Sequence, residues 1–254
     1  MRQSIIIKKL FYVLLIVVIS STRSVKADEI LIAVASNFKT AMAEIAKEFE
    51  ENTNHKVTLI FGSTGKHYAQ IKNGAPFDAF FSADSKRPEL LESEGLIIPD
   101  SRFTYALGKL VLWSPQDKLV DKKGQILSEG EFQRLAMAHP KLAPYGKAAF
   151  EVLDNKDLWD DLKVKVVRGE NIGQTFQFVK SGNAQLGFVA YSQLKQKNHP
   201  ITGAYWDIPQ SLYSPITQQA VLLKDNEAAR DFMASMTTES SRAIIRDFGY
   251  GNAP

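Results

Sequence analysis

Two hydrophobic periods alternate along this chain. Leu31 to Ala35 is an apolar, partly β-branched run suited to a buried strand, and Phe38, Ala41, Met42, Ile45, Ala46 and Phe49 then recur at helical spacing. Lys56 to Phe61 reads as the next strand. Tyr68 to Lys72 follows as a short helix closed by Asn73-Gly74, and Ala79 to Phe81 as a third strand. Arg87 to Glu94 predicts another helix, with Pro88 in its first turn and Gly95 as its stop. Strand–helix alternation of this kind implies a parallel sheet covered on both faces.

Leu107 to Trp113 predicts a strand after which the surroundings change. Beyond it Leu127 to Leu135, Lys147 to Leu153, Val164 to Val167, Gln174 to Lys180 and Leu186 to Ala190 again alternate helix and strand. We therefore expect a second α/β lobe over residues 109–214. Ile208 to Thr217 carries two prolines and leads into the strand Gln219 to Leu223, then the helices Glu227 to Met236 and Ser240 to Asp247. One strand and two helices cannot form a core alone, so residues 215–254 should rejoin a first lobe begun by residues 28–108. Two lobes joined by two crossing segments enclose a cleft faced by the ends of the parallel strands.

Residues 1–27 stand apart. Arg2, Lys8 and Lys9 precede an apolar run from Leu10 to Ile19, and Val25-Lys26-Ala27 offers small residues of the kind a signal peptidase reads. The run is shorter than the ~20 residues that span a bilayer, so we expect a cleaved secretory leader. Its removal takes five of the 31 Lys and Arg and no acid, leaving 26 bases against 28 acids. The exported chain is then near neutral, which argues against a nucleic-acid partner. Cysteine is absent, so no disulfide staples the fold and no lipid anchor can be attached at a mature N-terminal cysteine. The expectation is a periplasmic protein free of the membrane.

Four segments place a strand end directly before a helix start: LIAVASNF, FGSTGKHYAQI, KLAPYGKAAFEVL and RGENIGQTFQFV. Such a junction gathers free backbone N–H groups at the positive end of a helix dipole, which suits an anion. Ser36 ends the first segment and, taken alone, reads as an ordinary N-cap before it reads as a ligand residue. Gly62-Ser63-Thr64-Gly65-Lys66 packs two hydroxyls between two glycines, and reads as an anion loop or a capped turn. It is no NTPase phosphate loop, since Ile60 stands where a glycine is required and His67 where Ser or Thr is required. Pro144-Tyr145-Gly146 and Ile172-Gly173 are weaker signals that offer backbone N–H groups and one phenol.

The segments LIAVASNF, STGKHYAQIKNGAPFDAFFSAD, KLAPYGKAA and SGNAQLGFVA, in this order and spacing, resemble the periplasmic molybdate-binding proteins of ABC importers. The resemblance implies a two-lobed type II periplasmic binding fold, each lobe a mainly parallel sheet flanked by helices, with two crossover segments as hinge. It implies capture of molybdate or tungstate and delivery to an inner-membrane ABC permease with its cytoplasmic ATPase. Carried over, it assigns oxyanion contacts to the hydroxyls and amides of Ser36 and Thr64, the amides of Tyr145 and Ile172, and Asn37, with no residue ligating a metal ion directly. The family commonly has serine where Thr64 stands. Some relatives have a ligand tyrosine at the position of Ala190 and alanine at that of Tyr145, so Tyr145 is the candidate phenolic donor and the role of Tyr191 is open.

Physical chemistry permits this reading. A tetrahedral dianion presents four acceptor oxygens, and about six charge-assisted hydrogen bonds at roughly 1.5–3 kcal/mol each exceed the cost of ordering the site. Other tetrahedral anions, sulfate or phosphate, are the alternative ligands; a secreted phosphate or sulfate ester hydrolase is a more distant reading. No enzyme is expected: His55, His67, His139 and His199 lack metal spacing and read as surface or loop residues, and no HExxH or GxSxG segment occurs. Asp160-Asp161 reads as a solvated helix face, and Trp113, Trp159 and Trp206 as packing residues. The protein is expected to act as a monomer without a cofactor.

Overall fold

The computed structural model describes residues 28–195, 197 and 199–252; the expected leader lies outside them. Among these described residues, ten strands and ten α-helices follow in chain order. They are β1 (Glu29–Ala35), α1 (Lys39–Asn52), β2 (Lys56–Gly62), α2 (Thr64–Lys72), β3 (Ala79–Ser82), α3 (Lys86–Ser93), β4 (Phe103–Gly108) and β5 (Leu110–Ser114). The chain continues with α4 (Ile126–Glu129), β6 (Leu135–Ala138), α5 (Pro144–Asn155), α6 (Trp159–Leu162), β7 (Val166–Gly169), α7 (Ile172–Lys180), β8 (Leu186–Ala190) and α8 (Tyr191–Leu194). Last come β9 (Ala204–Asp207), β10 (Ile216–Leu222), α9 (Glu227–Ser235) and α10 (Glu239–Asp247).

The strands form two five-stranded sheets of identical topology, ordered β2-β1-β3-β10-β4 and β7-β6-β8-β5-β9. Both are mainly parallel. β1 pairs in parallel with β2 and β3, and β6 with β7 and β8. The fourth strand of each sheet, β10 or β5, runs antiparallel to both neighbours. These two strands are the ones the chain enters on crossing between sheets, once at Lys109 and once through the segment after β9.

Each sheet is buried on both faces, which explains the unbroken apolar runs of its central strands. Along β1, Ile30, Ile32 and Val34 face one way and pack with Met42 and Ile45 of α1, Phe232 of α9 and Ile244 of α10. Ala33 faces the other way, with Phe80, Ile71 of α2 and Leu91 of α3. The second sheet repeats the scheme. Leu112, Met137 and Phe188 pack under Ala149 and Val152 of α5, while Val111, Ala136 and Val189 pack under Val179 of α7.

Three sequence expectations need correction. Leu107 to Trp113 is not one strand but the end of β4 and most of β5, which belong to different sheets. Both halves are apolar because both are buried, so hydrophobicity does not register the crossing. Leu127 to Leu135 divides into the single turn α4 and the start of β6, and the four-residue strands β6 and β9 are too short for a clear period. Helices α2, α5 and α7 begin two to four residues before the apolar pattern indicates, at Thr64, Pro144 and Ile172. Their first turns are therefore made of the loop residues themselves.

Asp78, within NGAPFDAFFSAD, ties three strands of the first sheet together. One carboxylate oxygen accepts the Leu31 N–H at 2.7 Å; the other accepts Lys224 Nζ and Asn226 Nδ2, each at 3.2 Å. Asp78→Ala would leave the partly buried Leu31 N–H of β1 unpaired, and should lower the free energy of unfolding by about 1–3 kcal/mol in urea titration.

Candidate functional site at the lobe interface

β1, β2, β6 and β7 all end at the junction of the two lobes, and a helix begins after each. β1 runs into a 3-10 turn at Ser36–Phe38 and then α1; β2 reaches α2 with Ser63 as its N-cap. β6 leads to α5, whose first residue is Pro144, and β7 to α7, capped by the Asn171 side chain, which accepts the Gln174 N–H at 2.9 Å. In both sheets these strands are parallel neighbours, so four sets of helix-terminal amides converge from two directions.

Ser36, Asn37, Thr64, Tyr145 and Ile172 all line one small pocket between the lobes. No charged side chain lines it. Lys66 and Glu170, close to the lining in the chain, form an exposed ion pair 3.4 Å apart. The lining itself offers only neutral dipoles.

The hydroxyls there also hold the framework. Ser36 Oγ accepts the Gly173 N–H at 3.0 Å across the cleft, and Thr64 Oγ1 accepts the Ala83 N–H at 3.1 Å. Each keeps its own hydrogen to donate. The two Asn37 side-chain N–H bonds, by contrast, point at Gln218 Oε1 (2.8 Å) and Tyr250 Oη (3.1 Å). While those bonds stand, Asn37 has only its backbone N–H to give. Gln218 extends the network, accepting from Tyr105 at 3.1 Å and donating to Tyr145 Oη at 3.4 Å.

Burial raises the pKa values of Tyr105, Tyr145 and Tyr250 above the ordinary phenol value, with neighbouring phenols adding to it at Tyr105 and Tyr145. They remain neutral hydroxyls beside the cavity. Tyr145 is 1% exposed, and its hydroxyl lies against Gly108, where an added Cβ would come within 2.4 Å of it. Only glycine at the crossing lets the phenol reach the first lobe. Ala190 is buried in the second-lobe core, and Tyr191 packs beside Lys109, Tyr205 and Gly249, away from the cavity lining.

The lobes are closed on each other. Besides Ser36–Gly173, the Gly65 N–H donates to Leu142 O at 2.8 Å, Arg87 Nη2 to Lys141 O at 2.7 Å, and Ser192 Oγ to Asn37 O at 3.3 Å. Gly65 is in close approach: a Cβ there would sit 3.1 Å from the Leu142 backbone.

Two histidines expected at the surface are buried. His55 stacks on Phe49 and accepts the Asp28 N–H at 3.3 Å. His67, 2% exposed, lies beneath the second loop with Nε2 3.2 Å from Val34 O and Nδ1 3.1 Å from Gln70 Oε1. A backbone carbonyl can only accept, so Nε2 carries the hydrogen in the neutral ring. Sequence reasoning also passed over Gln218, Tyr105 and Tyr250. Gln218 and Tyr250 stand 181 and 213 residues from Asn37, and no local signal links them to the loops.

Two mainly parallel α/β lobes closed over a small cavity of neutral donors define a solute-binding protein of the periplasmic type. Residues 30–251 match the bacterial extracellular solute-binding protein family. The molybdate-binding protein ModA of Azotobacter vinelandii is 47% identical over 89% of this chain and 91% of its own length. ModA of Rhodobacter capsulatus is 45% identical over 88% of both. The solved structure of the Azotobacter vinelandii periplasmic molybdate-binding protein superposes with a TM-score of 0.86 at 41% identity, covering 89% of this chain and all of that one. The chain belongs to the ModA family of bacterial extracellular solute-binding proteins. A sulfate-binding protein of Mycobacterium tuberculosis, at 13% identity and a TM-score of 0.68, shares the fold.

Burial lowers the pKa of His67, outweighing its two hydrogen bonds. The unfolded chain, titrating near 6.5, then takes up this proton more readily than the folded one. The stability held by the neutral ring is complete above about pH 6.5 and is lost as the pH falls below it. Melting temperature should therefore drop on acidification through that window, with a shallower slope in His67→Leu. Gly65→Val should displace Leu142 and weaken ligand binding about tenfold or more in calorimetry, while the circular dichroism spectrum stays unchanged.

Proposed function

We propose that this protein is a periplasmic receptor that captures molybdate or tungstate between its lobes and delivers it to an ABC importer. The lobes are residues 28–108 with 215–254, and residues 109–214; the leader, residues 1–27, is cleaved on export. The exported chain acts as a free monomer without a cofactor. Its partner is an inner-membrane permease with a cytoplasmic ATPase, which recognises the closed form.

One observation carries this reading: four strand-to-helix junctions, two from each lobe, converge on a cavity with no charged lining residue. Donor hydroxyls at Ser36 and Thr64, and helix-start amides at Asn37, Tyr145 and Ile172, match a ligand that only accepts hydrogen bonds. A buried lysine or arginine would bind more strongly yet hinder release. The lining has no carboxylate to receive the proton that phosphate carries near neutral pH, which favours fully ionised anions. Because the hydrogen bonds to the anion come from both lobes, binding favours the closed form by population shift.

Calorimetric titration with molybdate, repeated in excess sulfate and phosphate, tests the assignment. One-to-one binding that survives both competitors is the expected result; heat with sulfate or phosphate alone would overturn the ligand and keep the receptor. Ser36→Ala and Thr64→Ala should each weaken binding by about 1–3 kcal/mol, and Thr64→Ser should recover most of that loss.

A further inference from the structure

Among the described residues, two buried side-chain polar atoms have no hydrogen-bond partner: Asn37 Oδ1 and Ser63 Oγ. Both residues line the interlobe cavity. Ser63 is 2% exposed and occupies the N-cap of α2, where a serine ordinarily turns its hydroxyl back to accept from its own helix. Here it does not. The amides of Lys66 and His67 are taken instead by the Ser63 backbone carbonyl, each at 3.1 Å. The hydroxyl is thus released from capping.

Chemistry separates the two atoms. Asn37 Oδ1 only accepts, so an anion oxygen cannot satisfy it. Ser63 Oγ carries a hydrogen, and an anion oxygen can. The neighbouring hydroxyls are engaged otherwise, Thr64 with the Ala83 N–H and Ser36 with the Gly173 N–H. Ser63 alone among the three has both its hydrogen and its lone pairs uncommitted. We propose that Ser63 is a direct ligand of the oxyanion, donating its O–H to one oxygen, so that the second loop contributes two adjacent hydroxyls in place of one. Thr64 adds to this the task of fixing the loop to the end of β3.

This assignment rests on the receptor reading above and predicts an unusual split between stability and affinity. A buried hydroxyl without a partner is a burden on the ligand-free protein that the ligand relieves. Removing a capping or packing serine would lower the melting temperature of the ligand-free protein. Removing a ligand serine that caps nothing would not.

The test compares wild type, Ser63→Ala and Ser63→Cys, which keeps the side-chain shape with a much weaker donor, by melting temperature and by calorimetry with sodium molybdate and sodium sulfate. The expected result for Ser63→Ala is an unchanged or raised ligand-free melting temperature with dissociation about tenfold or more weaker for the anion that wild type binds. Ser63→Cys should show the same direction. Unaltered affinity in both variants, or a ligand-free melting temperature that falls in both, would overturn the role of Ser63 while leaving the receptor reading intact. Wild type that binds neither salt would overturn the receptor reading, and the Ser63 assignment with it.

Discussion

A doubly charged anion can be buried without a counter-ion only when enough hydrogen-bond donors reach it together, because each unmatched part of its charge is expensive in a low-dielectric interior. No single helix start supplies them. Most of the architecture follows from this constraint. Each sheet must end two parallel strands at the same edge, each strand must feed a helix whose first turn faces inward, and the two edges must oppose each other. The identical strand orders β2-β1-β3-β10-β4 and β7-β6-β8-β5-β9 meet this requirement twice over. The antiparallel fourth strands let the chain pass between sheets without displacing the parallel neighbours that carry the loops.

Neutrality is maintained on the hinge side as well. Asn37, Gln218, Tyr105, Tyr145 and Tyr250 form one buried hydrogen-bonded group joining β10, β4, the 3-10 turn after β1, the first turn of α5 and the chain end. Burial suppresses ionisation of the three phenols, so the group adds oriented dipoles and no net charge. It also couples the crossings to the cavity. Tyr145 belongs to the second lobe and Gln218 to the first, and their contact at Gly108 lies where the chain passes between them. Lobe closure and the geometry of the donors are therefore features of one packed unit. Bonds such as Gly65–Leu142 and Ser36–Gly173 complete the closure at the cleft.

The cavity lining was legible where its signals are local. Ser36 and Thr64 stand at strand-to-helix junctions that period and residue type reveal, and Tyr145 and Ile172 open helices recognisable from their apolar faces. The resemblance of NGAPFDAFFSAD and its companions then fixed which tetrahedral anions to consider. The crossing at Lys109 was hidden because two buried strands of different sheets read as one apolar run. The starts of α2, α5 and α7 are not marked in the sequence because the residues that begin them line the cavity and lack the apolar period of the rest of each helix.

By itself the sequence determined the alternation of strands and helices in both halves and the absence of disulfides. These depend on composition and on contacts between residues close in the chain. Tertiary structure decided which hydroxyls are free. Ser36, Ser63 and Thr64 are nearly equivalent on paper; in the fold one accepts from the opposite lobe, one from the end of β3, and one has no partner. It likewise turned the Asn37 amide toward Gln218 and Tyr250 and buried His67 under the loop. The reason is physical: a polar group's availability depends on every donor and acceptor within about 3 Å of it, and here those partners lie up to 213 residues away along the chain.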